Sequence, residues 1–188
     1  MVRPALPLIL AALAGCARAA VPPALPEVAF PGTDGRTHRL GADAAGVPFT
    51  VVVFFGADCP VQRAHDARLR DLYTAYHPRG VAMIAMDSEA TATPAADRDE
   101  ARARGYAFPI LTDPEGAAAD ALGATYATYA VVVDSGGRIR YRGGLDSDRS
   151  HPTPGASLWL QNALDRLLEG RDPEPAETAS LGCALRRR

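Results

Sequence analysis

With 188 residues, 47% hydrophobic content and a formal net charge of −2, the chain is sized for one soluble globular domain with a substantial core, and its charge disfavours nucleic acid as a partner. All 20 basic residues are arginine, which excludes lysine chemistry such as Schiff-base formation. Aromatic content of 6% supplies no base-stacking platform.

Residues 1–20 read as an export signal: Arg3 carries the charge, Leu6 to Leu13 form the apolar stretch, and small residues follow. The stretch is too short to span a bilayer. Leu13-Ala14-Gly15-Cys16 is similar to the lipobox of bacterial lipoproteins, which implies lipidation of Cys16 and attachment to a membrane. Ala17-Arg18-Ala19 offers the alternative, ordinary cleavage after Ala19. Either outcome places the mature chain in the periplasm or cell envelope.

A Pro-rich lead, Val21 to Pro26, is expected to be extended. Val28 to Phe30 and Arg36 to Leu40 suit a small hairpin around Gly32-Thr33-Asp34-Gly35. The apolar run Phe49 to Phe55 predicts a buried strand, and Pro60 begins a helix that runs to about His77. Leu69, Leu72, Tyr73 and Tyr76 recur at helical spacing on the face that meets the sheet. A second strand covers Val81 to Met86, and Thr93 followed by Pro94 opens a helix that stops at Gly105. Phe108 to Leu111 forms a short strand, and Glu115 to Leu122 a short helix closed by Gly123. Ala130 to Val133 and Arg138 to Arg142 pair across the tight turn at Asp134-Ser135-Gly136-Gly137. The last helix runs from about Ala156 to Glu169, with Trp159, Leu160, Leu164, Leu167 and Leu168 packing it onto the core. Alternating strands and helices indicate an α/β class, a sheet with helices on both faces. The expected organisation is a signal at 1–20, a domain at 21–170 and an extended tail at 171–188.

Cys59 stands at the junction between the first long strand and its helix. A thiol there meets the positive end of the helix, which stabilises the thiolate and makes an accessible sulfur nucleophilic. Asp58 either moves a proton, raises the thiol pKa as an anion, or caps the helix. Of the three cysteines, Cys16 is acylated or removed, so Cys59 and Cys183 remain as candidates for one disulfide in an oxidising compartment, or as two independent thiols. His65 lies more than one turn beyond Cys59, too far around the helix for direct contact. His38, His77 and His151 are scattered without ligand spacing, and Asp146-Ser147-Asp148 reads as a polar loop, so neither a metal nor a cofactor is expected.

The strand, the cysteine at the helix start, and the hairpin from Val131-Val132-Val133-Asp134 to Gly136-Gly137-Arg138-Ile139 together resemble the thioredoxin-like fold. More closely, they resemble the redoxin branch related to alkyl hydroperoxide reductase and thiol-specific antioxidant proteins. The resemblance spans about residues 25–170. It implies a central mixed sheet flanked by helices, a redox thiol at Cys59 supported by Asp58 and Pro60, and protein thiols, disulfides or small oxidants as partners. The chain departs from the relatives at Gln62, where a thioredoxin has its second cysteine, and at Val52 and Gly56, where a peroxiredoxin has proline and threonine. Arg63 replaces the second cysteine of copper-handling relatives, and Thr128 falls near the thioredoxin cis-proline.

Without a neighbouring thiol, Cys59 depends on a distant one to resolve a mixed disulfide. Cys183 is the candidate, in an apolar patch after the Pro-rich and charged stretch Arg171 to Thr178. An extended chain from Gly170 reaches ~43–47 Å, enough to return to Cys59. Some redoxin relatives resemble this tail, which ends in Gly-Cys after a threonine. Arg186-Arg187-Arg188 either favours a thiolate nearby, forms a solvated terminal run, or adds weak attraction to anionic lipid.

Overall fold

The computed structural model describes residues 25–187, so the expected export signal, Cys16, the start of the Pro-rich lead and Arg188 lie outside the described residues. Two short strands, β1 (Phe30–Pro31) and β2 (Thr37–His38), form the expected hairpin. A helix that the periodicity did not reveal, α1 (Leu40–Ala45), begins where that hairpin was expected to continue. It buries Leu40 and Ala44 and carries Gly41, so its six residues display no recognisable apolar stripe.

Strand β3 (Phe49–Phe55) is the middle of a five-stranded sheet of order β5-β4-β3-β6-β7. It pairs in parallel with β4 (Val81–Asp87), which pairs in parallel with β5 (Ile110–Thr112). On its other side β3 pairs antiparallel with β6 (Ala130–Asp134), which pairs antiparallel with β7 (Ile139–Gly143). The parallel pairs require crossovers, supplied by α2 (Pro60–Tyr76) and α3 (Pro94–Arg104). The β6–β7 pair needs only its tight turn, in which Gly137 takes φ +78° and donates its N–H to the Asp134 carbonyl.

Because side chains alternate along a strand, β3 feeds two cores. Val51, Val53 and Phe55 meet Leu69, Leu72 and Tyr76 of α2 together with Leu160, Leu164 and Leu167 of α5 (Trp159–Leu168). Val52 and Phe54 meet Leu40 and Ala44 of α1 with Ala118, Ala119 and Leu122 of α4 (Ala117–Leu122). Burial on both faces explains why β3 reads as an uninterrupted apolar run. The result is a mixed sheet flanked by helices, the thioredoxin-like arrangement.

The segment beyond α5, linker-like by composition, is tied to the edge of the sheet. Arg142 N–H donates to the Ala176 carbonyl, and Thr178 N–H donates to the Arg142 carbonyl, each at 3.1 Å. Thr178 Oγ1 accepts from Gly144 N–H at 3.1 Å and shares a hydrogen bond with the buried Tyr141 hydroxyl at 2.7 Å. Gly143, at φ +146°, admits this contact: a Cβ there would lie 2.6 Å from the Thr178 carbonyl oxygen and 2.8 Å from its nitrogen. The edge strand β7 offers unpaired backbone groups, and backbone pairing makes no demand for apolar side chains. A Pro-rich, charged composition is therefore compatible with pairing along the edge.

Candidate redox site

Pro60 occupies the first turn of α2, where its missing N–H costs nothing, and this makes Cys59 the N-cap. Cys59 has extended backbone (φ −80°, ψ 113°), and its Sγ accepts from Gln62 N–H at 3.3 Å. The cap expected of Asp58 thus belongs to Cys59. Asp58 lies one residue outside the helix with its side chain 78% exposed.

Cys59 is bonded to Cys183, with the two Cα atoms 5.8 Å apart and a sequence separation of 124. The sulfur is at the helix terminus, as the sequence implies, but the expected accessibility is absent in this bridged form. Cys59 is 4% exposed, packed with Phe54, Ala127 and Leu185, because the tail covers it. Gln62 points away from the sulfur and donates from Nε2 to the Tyr106 hydroxyl at 3.2 Å.

The arm that carries Cys183 starts at the Thr178 anchor, so only five positions separate that fixed point from the sulfur. It lies antiparallel to the segment before β6. Ala127 N–H donates to the Cys183 carbonyl at 2.8 Å, Tyr126 and Ala184 form an antiparallel bridge, and Leu185 N–H donates to the Thr125 carbonyl at 2.9 Å. Thr128, the next residue, holds φ +68°, is buried, and donates its N–H to the Phe54 carbonyl at 2.8 Å. Its hydroxyl lies over Gly182, where an added Cβ would come within 2.6 Å of Oγ1.

Arg186, although its side chain is 59% exposed, is held by ion pairs. Its guanidinium donates to Glu89 Oε1 at 3.3 Å and Oε2 at 2.9 Å, and to Asp58 Oδ2 at 2.8 Å, while Ala90 N–H donates to the Arg186 carbonyl at 2.8 Å. That hydrogen bond and charge hold the Asp58 carboxyl below its ordinary range. Arg187 pairs with Asp120 and donates to the Ala124 carbonyl at 3.3 Å.

Two buried clusters fix the walls. Arg104, at the end of α3, donates to Asp66 at 3.1 Å, to Glu100 at 2.8 Å, and to the carbonyl of Ala57 at 2.7 Å, tying the turn before Cys59 to two helices. His65 bonds the Val61 carbonyl at 2.7 Å and Asp146 at 3.4 Å, and Arg68 also pairs with Asp146. Burial opposes its protonation, but these acceptors outweigh that and raise the His65 pKa. His65 therefore serves the α2–loop contact, not the sulfur, and the Asp146 loop is partly core.

At the end of β4, burial pushes the Asp87 carboxyl up to about 8 with help from the neighbouring Asp97 charge, and burial raises Asp97 as well, against the lowering hydrogen bonds it shares with Thr112 and Asp87. Asp87 Oδ1 accepts from Glu89 N–H at 3.0 Å, so this pair supports the residue that grips Arg186. A carboxyl whose folded pKa is raised binds a proton that the unfolded chain has lost, so stability falls as pH climbs from about 4 through about 8. Asp97→Asn removes the like charge and is expected to flatten that decline. Thermal midpoints measured from pH 5 to 9 should converge at the acid end and separate by several degrees at the alkaline end; parallel curves would contradict the shared-proton account.

The redoxin family model matches residues 20–156. The chain belongs to the redoxin family. Solved structures similar to it include a hypothetical protein from Sinorhizobium meliloti 1021 (26% identity, 90% of this chain and 95% of that one, TM-score 0.78). An uncharacterized conserved protein from Geobacillus kaustophilus is similar at 29% identity over 90% of this chain and 93% of that one, TM-score 0.78. A secreted Mycobacterium tuberculosis disulfide oxidoreductase homologous to Escherichia coli DsbE shares the fold at 15% identity, covering 76% of this redoxin and 92% of its own chain, TM-score 0.55. No curated protein matches the chain.

Proposed function

We propose that this redoxin is an exported thiol–disulfide oxidoreductase in which Cys59 is the nucleophile and Cys183 the resolving thiol. The observation that carries the reading is the bond between a sulfur at a helix N-terminus and a cysteine on a short arm. The signal-like residues 1–20 support action in the periplasm or envelope, and the lipobox-like Leu13 to Cys16 supports a lipid tether.

In the reduced protein, the dipole of α2 and the Gln62 N–H stabilise the Cys59 thiolate. That thiolate attacks one sulfur of a substrate disulfide; the substrate S–S bond breaks, and its second sulfur leaves as a thiolate. Cys183 then loses its proton and attacks Cys59 Sγ, which forms the observed bridge and releases the substrate as a dithiol. Two electrons pass from the protein to the substrate. Anchored at Thr178, the arm keeps Cys183 at high effective concentration near Cys59. Asp58, Pro60 and Thr128 act by shaping the two sides of this junction.

Cys183→Ser removes the second step and is expected to trap Cys59 in a mixed disulfide that persists for hours, whereas Cys59→Ser, left with a thiol that no helix terminus activates, forms its adduct far more slowly. Intact mass measurement of both reduced variants after mixing with glutathione disulfide checks this. A Cys59 thiol that stays free in Cys183→Ser would defeat the reading and leave the bridge as a structural tie. Peroxide in place of the disulfide tests the antioxidant alternative, which requires sulfenic acid at Cys59.

A further inference from the structure

The arm that covers Cys59 is held by two kinds of contact. The hydrogen bonds of Ala127, Thr125 and Ala90 go to its backbone and accept any sequence in extended form. The carboxylates do not. Glu89, with its side chain 8% exposed, faces the guanidinium three residues after the bonded cysteine, and Asp58 faces it from the other side. Asp120 meets the guanidinium one residue further on. A neutral side chain in the place of Arg186 would leave the Glu89 carboxylate covered and unpaired, which penalises occupants that lack the cation.

We propose that the same cradle selects partner polypeptides: an extended segment whose cysteine is followed, three and four residues later, by arginine or lysine takes the arm's place in a mixed disulfide with Cys59. The inference rests on the oxidoreductase reading. In the step, the partner's cysteine loses its proton and its thiolate attacks Cys59 Sγ. The Cys59–Cys183 bond breaks, and its electron pair leaves on Cys183, which takes up a proton as the arm departs. One disulfide replaces another, so no external oxidant or reductant enters. Attack by Cys183 on the new bond reverses the step and returns the partner thiol.

The test uses the full chain in its bridged form and two reduced synthetic peptides, Gly-Cys-Ala-Leu-Arg-Arg and Gly-Cys-Ala-Leu-Gln-Gln. The mixed disulfide at equilibrium is counted by intact mass. The arginine peptide is expected to be favoured by about tenfold. In Glu89→Gln combined with Asp58→Asn and Asp120→Asn that preference should shrink toward one, and Asp58→Asn alone, at an exposed carboxylate, should reduce it in part. Equal capture of the two peptides by the native protein overturns the inference, as does a preference that survives in the triple variant. If neither peptide is captured while dithiothreitol opens the bridge, the cradle does not select partners and the oxidoreductase reading stands. If dithiothreitol at native conditions leaves the bridge closed, the oxidoreductase reading falls and takes this inference with it.

Discussion

Gly182→Ala is expected to leave the domain folded while lowering the equilibrium constant for closing the Cys59–Cys183 bridge by about 10–100-fold. The added methyl would overlap the Ala127 carbonyl oxygen, and it would lie 2.7 Å from the Ala127 carbonyl carbon and 2.6 Å from Thr128 Oγ1. Neither neighbour is free to retreat. Ala127 is 1% exposed in the core, and Thr128 N–H is bonded to the Phe54 carbonyl inside the sheet. The arm has to give way, and Cys183 moves off Cys59. Thiol counting in a series of glutathione redox buffers measures the shift. Gly155→Ala, where a methyl meets nothing within 4 Å, is the matched control and should close the bridge as the native chain does. Native-like closure in Gly182→Ala would mean that the arm reaches Cys59 by another path.

Arg104→Ala should carry the largest stability cost of any single substitution at the site, about 3–5 kcal/mol, read as a lower denaturant midpoint with an unchanged slope. Burial alone would favour a neutral Arg104, but Glu100 and Asp66 outweigh it and keep the guanidinium charged. Its side chain is 1% exposed and packs over the Phe55 ring at 4.8 Å. Removal leaves Asp66 with the Tyr106 hydroxyl as its remaining hydrogen-bond donor in that cluster, and leaves the Ala57 carbonyl, two residues before Cys59, with the exposed Arg63 guanidinium in place of a buried one. Lysine is expected to recover little, because one ammonium does not span the carboxylates of Asp66 and Glu100 and the Ala57 carbonyl together. A loss below 1 kcal/mol would show that water replaces the guanidinium at no great cost.

How much of this was legible in the chain depends on the range of each interaction. Phe49–Phe55 reads as a strand and Thr93-Pro94 as a helix start because the causes are local: a continuous apolar run, and a hydroxyl that accepts from Ala96 N–H at 3.3 Å. The same locality misleads at Asp58, a preferred cap by residue type that is displaced when Pro60 fixes the helix start one residue later. Helix α1 escapes notice because Leu40 and Ala44 alone define its buried side. The stretch from Arg171 to Thr178 has a linker's composition, yet its ordering at Ala176 and Thr178 comes from backbone groups of β7 that composition does not report.

Neighbouring residues alone establish the fold class, the sulfur at a strand-to-helix junction, and the absence of a second cysteine beside it, because the causes of each are local. It takes the packed chain to bring Cys183 over Cys59, Arg186 to Glu89 97 residues away, and Arg104 from another helix against the turn before Cys59. These are contacts between segments whose meeting is set by how the sheet and helices pack, and a charge or a thiol carries no mark of the distant partner it will meet.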